Sequence, residues 1–258
     1  MVLATRPALE VRPDRPVVAA GDTVGGRLVG FGGVVEVAIV RHERSPARER
    51  SVDCASVTLR EGRAQRYTLE LPADVPPSAA GRQCAIEYSI TAKEALGDGR
   101  RAHAPVTVGA VGCPHLESRR PLGDPMLANA AARRFHIELF AADLRGGGRI
   151  SGRLHRHGRW APGAFNVELS CIETWRALAP AFAGVSYWER DLLWSAHATV
   201  ESDPDRTWVP FDFDIPPDLP PAVEAHALAW RYELTAHRHA RIGIDEYAAL
   251  TPLLFEAG

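Results

Sequence analysis

Lysine is almost missing from this chain: Lys93 stands alone among 30 basic side chains, and the other 29 are arginine. One lysine excludes a lysine-rich face for nucleic acid or anionic membrane, and the arginines are scattered rather than gathered into a patch. Such a bias reads as the mark of a genome rich in G and C, not as selection for bidentate anion recognition. Cysteine is scarce as well. Cys54, Cys84, Cys113 and Cys171 include no C-x-x-C pair, which leaves no zinc-finger or disulfide framework, and reduced thiols in a cytoplasm are expected. Long apolar runs are absent, so no stretch has the length of a membrane-spanning helix. Met1–Arg6 lacks the basic start and apolar run of a secretory signal. Long helical patterns are missing too, and residues 126–133 are the best short helix candidate.

What the chain does have is strand pattern. Its 258 residues suffice for two domains, and 46% hydrophobic with 24% charged residues describes a globular rather than a disordered protein. The formal net charge is −2, unevenly divided. Residues 1–110 carry 15 basic and 13 acidic side chains, and residues 134–258 carry 12 and 17. Apolar residues alternate at Val35, Val37, Ile39, at Tyr67, Leu69, Leu71, and at Cys84, Ile86, Tyr88, Ile90. Period two marks half-buried strands, and 22 glycines with 20 prolines punctuate them. The class expected is all-β, built as sandwiches.

The strongest internal signal is a repeat. Residues 67–92 align without a gap on residues 211–236, at an offset of 144, with 8 of 26 positions identical. The identities are Pro72/Pro216, Asp74/Asp218, Pro76/Pro220, Pro77/Pro221, Ala85/Ala229, Tyr88/Tyr232, Thr91/Thr235 and Ala92/Ala236. Chance at average residue usage gives roughly two. The apolar phase agrees as well: Tyr67, Leu69 and Leu71 fall on Phe211, Phe213 and Ile215. A slip of one residue would turn every one of them to the other face. Proline ends the first strand, because it cannot donate to a ladder, and Asp-x-Pro-Pro then carries a stiff extended crossing. Upstream, Gly21–Leu28 matches Gly147–Leu154 at offset 126, and Val35–Ile39 matches Phe165–Leu169 at offset 130. The growing offset places an insertion between Cys171 and Thr207. Three segments follow: a sandwich over 1–110, a linker with a short helix over 111–133, and a second sandwich over 134–258.

Each copy has a G-x-x-(V/I)-x-G strand, a V-x-V-x-(I/L) strand, a proline-rich corner and a Y-x-(I/L)-T-A strand. This order resembles arrestin-like proteins, in particular the bacterial arrestin-like sporulation-control proteins and, more distantly, the arrestin-like subunit of retromer. The resemblance implies tandem arrestin-like (immunoglobulin-like) β-sandwiches and adaptor or scaffold work rather than catalysis. It transfers no functional residue. The phosphate-reading lysines of animal arrestins have no counterpart here, and the ligase-recruiting P-P-x-Y motif fails at Pro76-Pro77-Ser78-Ala79 and Pro220-Pro221-Ala222-Val223.

Residues that carry chemistry are few. His155/His157 and His237/His239 are H-x-H pairs, and four imidazoles would make a metal site if the two hairpins met. The alternative is solvated hairpin polarity, and no metal or other cofactor is assigned. Cys113-Pro-His115 falls in the linker. There is no G-x-S-x-G elbow. Asp212 and Asp214 alternate with Phe211 and Phe213, which makes them a solvated strand face. Gly146-Gly147-Gly148 lacks a G-K-[ST] ending and precedes a strand, so it reads as a hairpin turn. All six tryptophans lie in the second half. In 187–194, strict alternation puts Trp188, Leu192 and Trp194 on one face and Tyr187 and Leu193 on the other. If the first face is core, Tyr187 and Leu193 form an exposed patch for β-augmentation or docking.

The expectation is a non-enzymatic cytoplasmic adaptor that binds a protein partner, with self-association open and no nucleic-acid or integral-membrane partner. A structural or ligand-binding sandwich subunit of a larger assembly is the alternative, and a metal-dependent protein using the paired histidines is the third.

Overall fold

The computed structural model describes residues 8–60, 64–95, 99–109, 135–156, 164–178, 186–201, 205–238 and 246–253, and every regular element in them is a strand. The chain divides into two compact units, Met1–Val111 and Gly112–Gly258. The expected linker helix lies outside the described residues.

The first unit holds β1 (Glu10–Pro13), β2 (Val17–Ala19), β3 (Thr23–Val29), β4 (Val34–Ser45), β5 (Arg48–Arg60), β6 (Ala64–Glu70), β7 (Ala79–Ala80), β8 (Ala85–Glu94) and β9 (Arg101–Gly109). One sheet runs β1-β3-β6, and the other runs β2-β9-β8-β4-β5 with β7 beside β8. The second unit holds β10 (Phe135–Ala142), β11 (Arg149–Arg156), β12 (Ala164–Leu178), β13 (Ser186–Glu201), β14 (Trp208–Asp214), β15 (Val223–Glu224), β16 (Leu228–Arg238) and β17 (Glu246–Leu253). Its sheets are β10-β11-β14 and β13-β12-β16-β15, with β17 beside β16. Alternate residues of both sheets close one core: Ile137, Leu139, Ile150, Leu154, Phe211 and Phe213 meet Phe165, Val167, Leu169, Tyr232 and Leu234. The first unit buries the same phases, Val24, Leu28, Tyr67 and Leu69 in one sheet and Val35, Val37, Ile39, Ile86 and Ile90 in the other. The fold is all-β and sandwich-like.

The offsets found in the sequence reappear as strand registers. Gly26 of β3 faces Tyr67 of β6, and Gly152 of β11 faces Phe211 of β14. Ile39 of β4 faces Ile90 of β8, and Leu169 of β12 faces Leu234 of β16. In each case offsets of 126, 130 and 144 carry the first pair onto the second. Both glycines serve a close approach. A Cβ on Gly26 would overlap the Tyr67 hydroxyl and the Arg12 carbonyl oxygen; on Gly152 it would overlap the Phe211 ring and the Glu138 carbonyl oxygen. The insertion in the second copy is a longer hairpin: β12 and β13 have 15 and 16 residues where β4 and β5 have 12 and 13.

The proline-rich corner is built twice from the same bonds. Gly21 N donates to Pro72 O and Gly147 N to Pro216 O, both at 3.3 Å. Both glycines have positive φ, 84° and 77°, which costs a residue without Cβ little. The Tyr88 hydroxyl donates to Pro76 O at 2.6 Å, and the Tyr232 hydroxyl donates to Pro220 O at 2.9 Å. This is a tyrosine corner of the kind known in β-sandwiches.

Removing the Tyr232 hydroxyl leaves a buried carbonyl without its donor, and removing the Tyr88 hydroxyl leaves a part-buried one. Tyr88→Phe and Tyr232→Phe are each expected to cost about 1–3 kcal/mol in urea unfolding. Equal stability of Tyr232→Phe and the parent chain would show that the corner carries no weight.

Alkaline stability provides a second check. Burial pushes the Tyr67 phenol and the Cys171 thiol up to about 12, and burial also raises Tyr88 and Tyr232. The ordinary values are 9.0 for the thiol and 10.0 for the phenols. These groups stay neutral in the folded chain at pH values where the unfolded chain ionises. Their contribution is therefore complete below about pH 9 and is lost as pH rises from there through about 12. The urea midpoint measured from pH 8 to pH 12 is expected to fall continuously. A midpoint that stays level to pH 12 would contradict the burial of these groups.

Candidate functional site

Strand β13 lies at the end of its sheet. It pairs with β12 from Ser186 to Glu201 and, among the described residues, with no strand on its other side. Sixteen residues make a long edge, and an edge of this kind presents a row of unpaired N–H and C=O groups to any extended segment that comes alongside.

A bulge decides what this strand displays. Cys171 faces Trp194, the next residue Ile172 faces Leu192, and Leu193 is the extra residue between them. On one side of the bulge Trp194, Ala196, Ala198 and Val200 pack against the core, and Leu193 leans on it too. On the other side the parity reverses. Trp188 and Leu192 now share the outward face and are each 49% exposed. Leu192 sits across from Ile172, and Leu178, at the end of β12, is 72% exposed on the same outward face. The Arg231 guanidinium lies 6.0 Å from the Trp188 ring centre and 3.3 Å from Glu224 Oε1. The outcome is an outward face on which Leu178, Trp188 and Leu192 are displayed among Arg176, Arg190 and Arg231, with Ile172 buried beneath them.

This placement differs from strict alternation. Tyr187 is exposed, faces Ala177 on the inward side of the sheet, and donates its hydroxyl to Glu189 at 2.8 Å. Leu193 is half-buried against the core. The outward pair is therefore Trp188 with Leu192, and Trp194 is separated from both. A bulge needs no particular residue type, so nothing in the sequence marks Leu193 as the residue that takes it.

The first histidine of each pair lies in a different sheet of the second unit. His155 lies in the three-stranded sheet, with Nε2 2.6 Å from Glu138 Oε2. His237 lies in β16 of the other sheet, across from Asn166. His157, His239 and the Cys113/His115 pair fall outside the described residues. Among the described residues no three metal-ligating side chains come together. Asp212 is forked by Arg149, with Arg149 Nε 2.7 Å from Asp212 Oδ1. Buried Cys84 and Cys171 sit in the two cores.

One association that sequence reasoning missed is on the outer face of β4, β8 and β9. A trough of about 570 Å³ there is lined by His42, Ser89, Thr91 and His103. His42 Nδ1 is 3.0 Å from Ser51 Oγ and His42 Nε2 is 2.8 Å from Ser89 Oγ. Both imidazole nitrogens are thus taken by hydroxyls on neighbouring strands, which ties β4 to β5 and β8. Serine and histidine are spread through the chain, and only the register brings these three together. Comparison with models of protein families and with curated proteins finds no match.

The two sides of the bulge should respond differently to substitution. Trp188→Ser and Leu192→Ser are expected to change stability by less than about 1 kcal/mol, as exposed positions do. Leu193→Ala is expected to cost about 1–3 kcal/mol, because it removes atoms from the core contact. Urea unfolding of the three variants distinguishes them, and a Leu193→Ala variant as stable as Leu192→Ser would place the bulge elsewhere.

Proposed function

We propose that this chain is a non-enzymatic cytoplasmic adaptor or scaffold of arrestin-like construction, and that it takes a protein partner along β13. The observation that carries the reading is the coincidence of a long unpaired edge with an outward apolar strip on the same strand. The edge offers main-chain hydrogen bonds to an extended segment, and Leu178, Trp188 and Leu192 offer side-chain contacts beside it. Arg190 interrupts the strip between Trp188 and Leu192, and Arg176 faces Trp188 across the pair; charges of this kind keep solvent-facing edges from indiscriminate pairing. The arrestin-like part of the proposal is supported by the repeated order of strands and by the corner that both units share.

A second reading has support in β5, which also ends its sheet. Edges such as β13 and β5, which have no partner strand on one side among the described residues, allow copies to pair edge to edge, as a structural subunit would.

The two readings are separated by one set of measurements. Affinity purification from the native host is expected to recover a defined partner with the parent chain and to lose it with Trp188→Ser/Leu192→Ser. Hydrogen exchange is expected to show new protection of β13 amides in the recovered complex. If the double substitution leaves the partner bound, the β13 site is wrong. If light scattering shows the chain alone as an oligomer that the same substitutions dissolve, the structural-subunit reading replaces the adaptor.

A further inference from the structure

The outer face of the β10-β11-β14 sheet carries a second, separate arrangement. The Arg153 guanidinium lies 4.5 Å from the centre of the Phe140 ring and 4.0 Å from the centre of the Trp208 ring. The three residues come from three strands. A bulge brings the first of them into place: Leu139 faces Gly152 and Ala141 faces Ser151, so Phe140 is the extra residue, turned outward and 47% exposed. Bulges re-aim side chains in this way at binding sites.

The charge of Arg153 is left unpaired by its neighbours. Glu138 faces Arg153 directly in the β10–β11 register, yet its carboxylate contacts His155 at 2.6 Å. Asp212 is held by Arg149. Arg153 has no ion-pair partner among the described residues. A guanidinium held beside two rings keeps its planar edge of N–H donors available for a bidentate acceptor.

The first unit shows what this arrangement replaced. By the offsets of 126 and 144, Arg153 corresponds to Arg27, Phe140 to Asp14, Trp208 to Ala64 and Pro210 to Arg66. In that unit Asp14 and Arg66 form an ion pair at 3.0 Å, and Arg27 is exposed with no ring stacked on it among the described residues. The second unit keeps the arginine, removes the ion pair and supplies two aromatic rings.

We propose that the Phe140–Arg153–Trp208 stack is a docking site for an apolar segment of a partner protein that carries a single acidic residue: one Asp or Glu carboxylate on the guanidinium edge, with apolar neighbours on the ring faces. Charge complementarity selects this occupant. A single carboxylate meets the arginine, whereas a polyanion such as nucleic acid would also meet Glu138, Asp212 and Asp214 on the same face. The site is independent of β13.

The test uses the full chain and three fluorescein-labelled probes read by anisotropy: a decapeptide of Leu and Ser with one central Glu (the Leu/Glu peptide), the same peptide with Lys in place of Glu (the Leu/Lys peptide), and a single-stranded DNA 12-mer. The Leu/Glu peptide is expected to bind more tightly than both others and to weaken as salt rises. Arg153→Met should weaken it at least tenfold. Arg153→Lys keeps the charge without the planar fork and should remain weaker than the parent. Phe140→Ala, a surface truncation that leaves the arginine in place, should weaken it several-fold, and thermal melts report whether each variant is folded. Absence of Leu/Glu binding, equal binding of the Leu/Lys peptide, tighter binding of DNA, or unchanged affinity in folded Arg153→Met overturns the proposal. Loss of peptide binding in Trp188→Ser/Leu192→Ser would also overturn it, by placing the peptide on β13. A change in the oligomeric state of the chain alone on Arg153→Met would make a second copy the occupant instead.

Discussion

A phenol hydroxyl donated to a proline carbonyl twelve residues earlier holds each unit together at its least self-sufficient point. The crossing before β8 and before β16 contains paired prolines, which have no N–H to give and which cannot join a ladder. Its carbonyls must find donors elsewhere or remain buried and unmet. Tyr88 and Tyr232 answer from the core side of the next strand, and so tie the crossing to the strand it leads into. That strand pairs with β4 in one unit and β12 in the other, in equivalent registers. The corner thus links chain direction, register and core phase, and this explains why it is the part of the repeat that the two copies share most closely.

Much of the architecture was legible because the informative residues were of kinds with few roles. Proline at the strand end, glycine under an aromatic ring and tyrosine at the corner each have a narrow physical function, and their spacing carried the registers with it. The faces of β13 were not legible, because alternation predicts faces only while the register holds and Leu193 breaks it. The same applies to Cys54, the extra residue of β5 where Ile39 faces Ala55 and Val40 faces Asp53. The Phe140–Arg153–Trp208 stack was hidden for a different reason. Its members are on three strands, and only register and a bulge bring them together. Arginine in the first copy's equivalent position gave no hint of the rings added in the second.

The two units solve similar problems with different interactions. A glutamate is buried at equivalent positions, Glu43 and Glu173. In the first unit Arg41 Nη2 lies 2.9 Å from Glu43 Oε1; in the second the Trp230 indole N–H donates to Glu173 Oε1 at 3.1 Å. Where Asp14 and Arg66 pair at the surface of the first unit, the second has Phe140 and Pro210, with Trp208 in place of Ala64 nearby. At these two places a tryptophan, Trp230 or Trp208, stands where the first unit uses ionic contacts. Exposed ion pairs weaken with salt, and aromatic packing does so much less.

The extra residue in β13 also has a meaning for inheritance. A strand that is one residue longer than its partner keeps its composition but exchanges its faces from that point on. The stretch 186–192 therefore changes sides as a block, without any of its residues being replaced. A single inserted codon could convert a buried stripe into a displayed one, while the paired half of the strand goes on sealing the core. Both copies carry such an extra residue in the corresponding strand, Cys54 in β5 and Leu193 in β13, so what sets the second copy apart is which side chains its reversed stretch displays.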